Sequence, residues 1–404
     1  MHFKNLNGSY FGATSTTSYL PSRRYAFNIR GFSAETRIIA RQRRVITSKR
    51  TTLLPTRESH KRSEKTLPFS SYPSSAKDPV NLQNSYERPE MAGTPTVFVT
   101  SATGSQGSAL CNELLKIGWN VRATTRDLGT PSAQALRAAG VHLTVASSWD
   151  DEDALRKGIE GCDKLYLCLY PNLEDFQQLP RQAALITRLA KEAGVTQAIS
   201  STTLGSFMIE EGLEPPVTLG PLFDAHVHCK KRVEQNVIDG GFDHWTILRP
   251  CFFMANFLEP KIQFGYTETK RGSWTNSLTA ETLLGLIDHV DIARFAVAAF
   301  QDPTTYHGRK LGLISEELLV QEAMDQLAEA VGDGRSIKAI FMTDEEIAKA
   351  QAEGSWLVFA SETCVRYMSD YTDLDELHRL LPKLTTFREF LERENEAVKE
   401  TYLS

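Results

Sequence analysis

The 404-residue chain has no apolar run approaching the ~18–20 residues needed to cross a bilayer. A helical membrane span is therefore excluded, and no membrane partner is expected. Its six cysteines (Cys111, Cys162, Cys168, Cys229, Cys251 and Cys364) form no CxxC pair, and no histidine cluster completes a zinc spacing. Neither a structural metal nor a disulfide framework follows. Thiols set in apolar stretches behave as small hydrophobes, and a reducing compartment suits them best. Positive charge is scarce after residue 90. Residues 1–90 hold 16 Lys and Arg against 6 Asp and Glu, so the other 314 residues carry −15 within an overall −5. An acidic body of this kind lacks the positive surface that broad nucleic-acid binding requires.

The first ninety residues also lack periodicity. They are rich in Ser, Thr, Arg and Pro, as in Ser70-Ser71-Tyr72-Pro73-Ser74-Ser75, and such a composition is expected to stay disordered. The first fifty contain ten basic residues and one acid, Glu35, which fits a transit peptide. Arg30-Gly31-Phe32-Ser33 looks like a cleavage context for a matrix protease. Met91-Ala92-Gly93 reads equally well as a start just before the first strand. Three readings stay open: an inert or misassigned extension, a targeting segment, or a surface for an acidic partner. The expected location is cytoplasmic, with the nucleus as a further site, or mitochondrial if residues 1–90 are a genuine transit segment.

Order begins at Thr96-Val97-Phe98-Val99-Thr100, a β-branched run bounded by Pro95. Ser101-Ala102-Thr103-Gly104-Ser105-Gln106-Gly107 follows, and then the helical pattern Ala109 to Leu115. Strand, small-residue turn and helix in that order are what a pyrophosphate site needs. A tight turn lets the backbone approach the phosphates, and the helix end offers free N–H groups. Thr103, Gly104, Ser105, Gln106 and Gly107 are therefore cofactor-binding candidates. The first glycine of the usual pattern is Ser101, which is tolerable if its φ stays negative. A second strand, Val121 to Thr125, ends at Arg126. An acid near that point would take ribose hydroxyls, whereas an arginine suits a 2′-phosphate, so NADP is the expected cofactor. The plainer alternative makes Arg126 an ordinary surface residue.

Further strands fall at 141–145, 164–169, 197–201 and 245–250, separated by helical stretches such as Arg181 to Ala193, which stops at Gly194. This alternation predicts an α/β fold, a doubly wound parallel sheet of Rossmann type over 94–250. A smaller subdomain of helices and loops over 251–404 is expected to pack on it and form a substrate cleft. Ligands lie at the carboxyl ends of such strands, which brings Tyr170, Pro171, Thr202 and Phe253 toward the cofactor. Helices are expected from Glu316 to Val331, from Asp344 to Glu353 behind Thr343, and from Phe387 to Tyr402. The aromatics Phe252, Phe253, Phe257, Phe264, Tyr266 and Trp274 read mostly as core, with the alternative that some line an apolar substrate cleft over the nicotinamide.

Together these pieces resemble the NmrA-like family, a branch of the extended short-chain dehydrogenase/reductase superfamily. The matching residues are Val99 to Gly107, Val121 to Asp127, Trp149-Asp150-Asp151, Leu248 to Asn256, Asp291 to Phe295, and Leu384 to Phe390. They span residues 94–394. The family usually has Gly-Asp before the tryptophan position, where this chain has Ser147-Ser148. The resemblance implies an NADP(H)-binding protein. One branch transfers hydride to a small carbonyl, quinone or related apolar substrate; the other senses redox state without catalysis and regulates a partner protein such as a transcription factor.

Short-chain reductases place a tyrosine acid four residues before a lysine. Here Lys230 matches the lysine and His226 stands at the tyrosine position, one helical turn away. In one reading Lys230 anchors the cofactor ribose, His226 donates a proton, and Thr202 adds a hydrogen bond to a carbonyl oxygen. In another the acid is lost and the domain is a sensor. In the third, His226 and Lys230 are ordinary helix residues. His228 diverges from His226 by ~200° on a helix, which argues against a metal pair.

Overall fold

The computed structural model describes residues 93–170, 172, 175–210, 221–353, 362 and 364–404, with backbone only for Pro221–Phe223. The readings made for the first ninety residues, and for Pro171, lie outside the described residues.

Seven parallel strands form the main sheet. In chain order six of them are β1 (Thr96–Val99), β2 (Asn120–Thr125), β3 (His142–Val145), β4 (Lys164–Leu167), β5 (Gln197–Ser201) and β6 (His244–Pro250). Two short sheets follow from β7 (Phe252–Phe253), β8 (Ser273–Asn276), β9 (Leu283–Ile287), β11 (Glu316–Leu319) and β12 (Lys338–Phe341), while β10 (Arg309–Leu313) returns to the main sheet. Its order is β10-β6-β5-β4-β1-β2-β3, every neighbour parallel. The direction of winding reverses between β1 and β4, so a crevice opens at their carboxyl ends.

The central strands β1, β4 and β5 are buried on both faces, as a covered parallel sheet requires, while the edge strand β3 leaves Val145 exposed. In β1, Val97 and Val99 join one core cluster while Phe98 joins the other. In β4, Leu165 and Leu167 point to the second cluster and Tyr166 to the first. This period of two divides the helices between faces. On one side α1 (Ser105–Lys116) packs on a later helix, His289–Gln301. On the other, α2 (Glu152–Ile159) and α3 (Gln178–Glu192) pack together, and α3 also packs on α4 (Pro221–Ile238). Both β10 and His289–Gln301 come from beyond residue 250, so the sheet layer draws on chain outside 94–250.

Two sequence expectations need correction. Glu316–Leu319 is a strand, antiparallel to β9, and the helix starts only at Val320. The expected terminal helix is two, Phe387–Arg393 and Asn395–Leu403, broken at Glu394. Asp344–Ala352 is helical with a capping box from Thr343. Phe252, Phe257, Tyr266 and Trp274 are core, whereas Phe264 is exposed. Among the described residues no helix is long and apolar enough to cross a membrane, and no group of three or more His, Cys, Asp or Glu could hold a metal ion.

Candidate functional site

Thr100 fastens the end of β1 to β4. Its hydroxyl meets the carbonyls of Tyr166 and Cys168 at 3.1 Å each, and it accepts from the Cys168 N–H at 2.7 Å. The chain then turns through Ser101, whose φ is +51°, against the expectation of a negative value. The turn is closed by the Gly104 N–H on the Ser101 carbonyl at 2.9 Å, and serine is carried into the left-handed region at a cost of about 1–2 kcal/mol. Gly107 cannot be replaced without movement, because a Cβ there would lie 2.3 Å from the Ser101 carbonyl oxygen. Absence of that Cβ lets α1 close onto the strand end.

Thr103 and Gly104 are exposed, and Ser105 is half-buried at the first position of α1. No acid lies in the first turn and no side chain caps it. Its N–H groups are thus available to an anion. Gln106 behaves differently. Its amide oxygen accepts from the Ser201 hydroxyl (2.8 Å) and the Tyr166 hydroxyl (3.2 Å), so it braces the turn against β4 and β5. At the end of β2, Arg126 is exposed and has no partner among the described residues. The first carboxylate beyond it, Asp127, folds back to accept the Gly129 N–H at 2.7 Å. Ser147, at the departure from the family pattern, clips the Asp151 carboxylate through its N–H and hydroxyl, both at 2.9 Å.

The helix α4 brings Lys230 to the crevice. Its ammonium is buried and donates to the Leu169 carbonyl, just past β4, at 2.9 Å. Burial pulls its pKa below the ordinary lysine value. His226 lies one turn earlier beside Phe176, with Nδ1 buried and unpartnered among the described residues. Burial, assisted by the Lys230 charge, pushes the imidazole down to about 4. It is therefore neutral near pH 7, which runs against the sequence-based expectation of titration near neutrality. Thr202 is also differently occupied: its hydroxyl donates to Glu234 at 2.6 Å rather than standing free for a carbonyl. Tyr170, three residues past β4, is exposed, and Phe253 is half-buried.

Several residues escaped the sequence reading. Arg249, wholly buried on β6, forks onto Glu234 at 2.9 and 2.5 Å and reaches Glu210 at 2.7 Å. Glu210 also holds Lys310 at 2.6 Å and pairs with Lys231, and the Phe207 ring lies 4.1 Å from the guanidinium. An arginine inside an apolar strand was the available signal, since a buried charge demands a partner. Lys261 was missed as well: its ammonium donates to the Ser105 hydroxyl at 2.8 Å and sits 5.1 Å from the Phe253 ring centre. Lys230 and Lys261 both lie close enough to act on the Cys168 thiol. By contrast, the Asp291 motif is structural: its carboxylate accepts from Ser315 (2.7 Å), from the Thr385 N–H (2.7 Å) and from the Thr385 hydroxyl (3.1 Å).

A reversing parallel sheet, an acid-free helix end at the reversal and a buried lysine beside it define a Rossmann-type α/β protein. The chain belongs to the NmrA-like family, whose model matches residues 93–391. It is 28% identical over 254 residues to an NAD(P)H azoreductase of Xenophilus azovorans, covering 63% of this chain and 79% of that one. An NADPH-dependent quinone oxidoreductase of Escherichia coli, solved with NADPH, superposes with a TM-score of 0.57 at 20% identity, covering 74% of this chain and 99% of that one. NmrA, a negative transcriptional regulator solved with NADP, gives 0.57 at 18% identity, covering 75% and 97%.

Proposed function

We propose that this chain binds NADP(H) in the crevice at the ends of β1 and β4 and reduces a conjugated, apolar acceptor of the quinone type. The free first turn of α1, with no carboxylate in it, suits a diphosphate, and the unpaired Arg126 suits a 2′-phosphate. When bound, the reduced cofactor supplies a hydride. Lys230, fixed on the Leu169 carbonyl, keeps a positive charge at the crevice that favours a developing oxyanion.

The observation that carries the substrate class is the commitment of the Thr202 hydroxyl to Glu234, beside a tyrosine position that holds His226. A simple ketone gains an alkoxide on reduction and needs a proton from a well-matched acid. A quinone spreads the new charge over its ring and can take its proton from water. In this chain the tyrosine position holds a neutral imidazole and the Thr202 hydroxyl is committed to Glu234, so the second class fits better. The names of the azoreductase and quinone oxidoreductase relatives point the same way.

The test is titration of the full chain with NADPH, NADP+, NADH and NAD+, followed by turnover of quinones against simple aldehydes and ketones. Expected are preference for the phosphorylated cofactors and quinone turnover that Lys230→Ala lowers at least tenfold. Turnover of simple ketones alone would overturn the substrate class. The occupied Thr202 and neutral His226 also favour a second reading, a sensor of cofactor redox state that acts on a partner protein. It predicts different affinities for NADPH and NADP+ with no turnover of any acceptor.

A further inference from the structure

We infer that Lys261 is a diphosphate-binding residue of the nucleotide site, delivered from the segment between β7 and β8 to the first turn of α1. The inference rests on the reading of the crevice as an NADP(H) site. Lys261 opens a short 3-10 turn, Lys261–Phe264, that is 156 residues away in sequence from Ser105. Its ammonium nevertheless donates to the Ser105 hydroxyl at 2.8 Å, at the first residue of α1, with the Phe253 ring alongside.

The electrostatic setting is unusual. Nearby Lys270 is paired with Glu259 at 2.7 Å, whereas Lys261 has no carboxylate partner among the described residues. A neutral hydroxyl uses one of its three donors and none of its charge. Burial lowers its pKa, as expected of a desolvated cation lacking a counterion. An anion at the turn would restore the balance, meeting helix N–H groups and ammonium at once. Contact with Ser105 places that anion at the helix end, where the diphosphate belongs, rather than at a substrate farther along the crevice.

The experiment compares wild type, Lys261→Met and Lys261→Arg as full chains. Three probes are used: NADPH, 2′-phospho-ADP-ribose, which keeps the diphosphate, and adenosine 2′-monophosphate, which lacks it. Expected for the methionine variant is about tenfold weaker binding of the first two, the loss of one charge-assisted hydrogen bond, with the third unchanged. Arginine should restore most of the loss. Equal affinities of wild type and Lys261→Met for the first two probes would overturn the role of Lys261 alone. Uniform loss across all three probes would mark Lys261 as structural and overturn it too. Should the methionine variant fail to fold, Lys261→Gln, which keeps a polar end for Ser105, takes its place. Failure of wild type to bind NADPH would overturn the nucleotide reading itself, and this inference with it.

Discussion

Serine in the left-handed region at position 101 makes the phosphate turn a place where stability and sequence are at odds. Ser101→Gly relieves about 1–2 kcal/mol of backbone strain and gives back about 0.5–1 kcal/mol through a freer unfolded chain. A net gain of ~0.5 kcal/mol or somewhat more is expected in urea unfolding, with the turn unchanged. Gly107→Ala is the opposite case, because backbone rather than a side chain meets the new methyl, and a loss of roughly 1–3 kcal/mol is expected. His226 supplies a pH dependence. Its imidazole titrates at about 4 in the fold against 6.5 in the open chain. Between those values the unfolded chain takes up a proton that the native one refuses, so stability present above pH 6.5 is lost as pH falls toward 4. Unfolding curves across this range should be steeper in pH for wild type than for His226→Asn. At this scale the sequence pattern singled out Lys230, whose ammonium the structure places against the Leu169 carbonyl just past β4, but gave no sign of Lys261. It could not show the burial of His226 or the partner of Thr202, since the first involves Phe176 and the second Glu234, brought close only by the fold.

Strands β5 and β6 and helix α4 meet through one buried ionic group. Arg249 joins Glu234 and Glu210, and Glu234 in turn takes the Thr202 hydroxyl. Removing the guanidinium leaves the buried Glu234 carboxylate with no cation, whereas Glu210 keeps Lys231 and Lys310. Arg249→Met should cost about 3–5 kcal/mol in denaturant unfolding. Adding Glu234→Gln to that variant should recover part of the loss, and a double mutant no better than the single would count against a shared network. Element boundaries were legible where local signals end them, as at the Thr343 capping box and at Gly194, with φ +89°. They failed where the determinant is remote. Glu316–Leu319 continues a helical pattern on paper, yet β9 supplies a pairing edge and takes it as strand. The break at Glu394 likewise follows contacts that no local pattern reveals, including Arg393 forked onto Asp288 at 2.6 and 3.0 Å.

Across the described residues, contacts between segments far apart in sequence tie the late part of the chain together, 24 residues apart for Asp291 and Ser315, 94 for Asp291 and Thr385, and 105 for Asp288 and Arg393. Asp291 holds Ser315 and Thr385, and Asp288 holds Arg393. Asp291→Ala strands three buried donors, and a loss of roughly 2–4 kcal/mol is expected. Protease cleavage should then begin within 385–404. The motifs around Asp291 and Thr385 were visible in the sequence, but their mutual grip was not. The last helix, Asn395–Leu403, makes a similar bond elsewhere: the Tyr402 hydroxyl donates to the Phe257 carbonyl at 2.9 Å, and the Thr401 hydroxyl accepts the Glu259 N–H at 3.0 Å. These two contacts seat the very stretch that carries Lys261. If Lys261 meets the nucleotide as inferred above, occupancy at the phosphate turn and order at the carboxyl terminus are linked, and such a linkage runs both ways. The expected outcomes are weaker nucleotide binding by a chain tagged after Ser404 and slower amide exchange in the final helix when nucleotide is added.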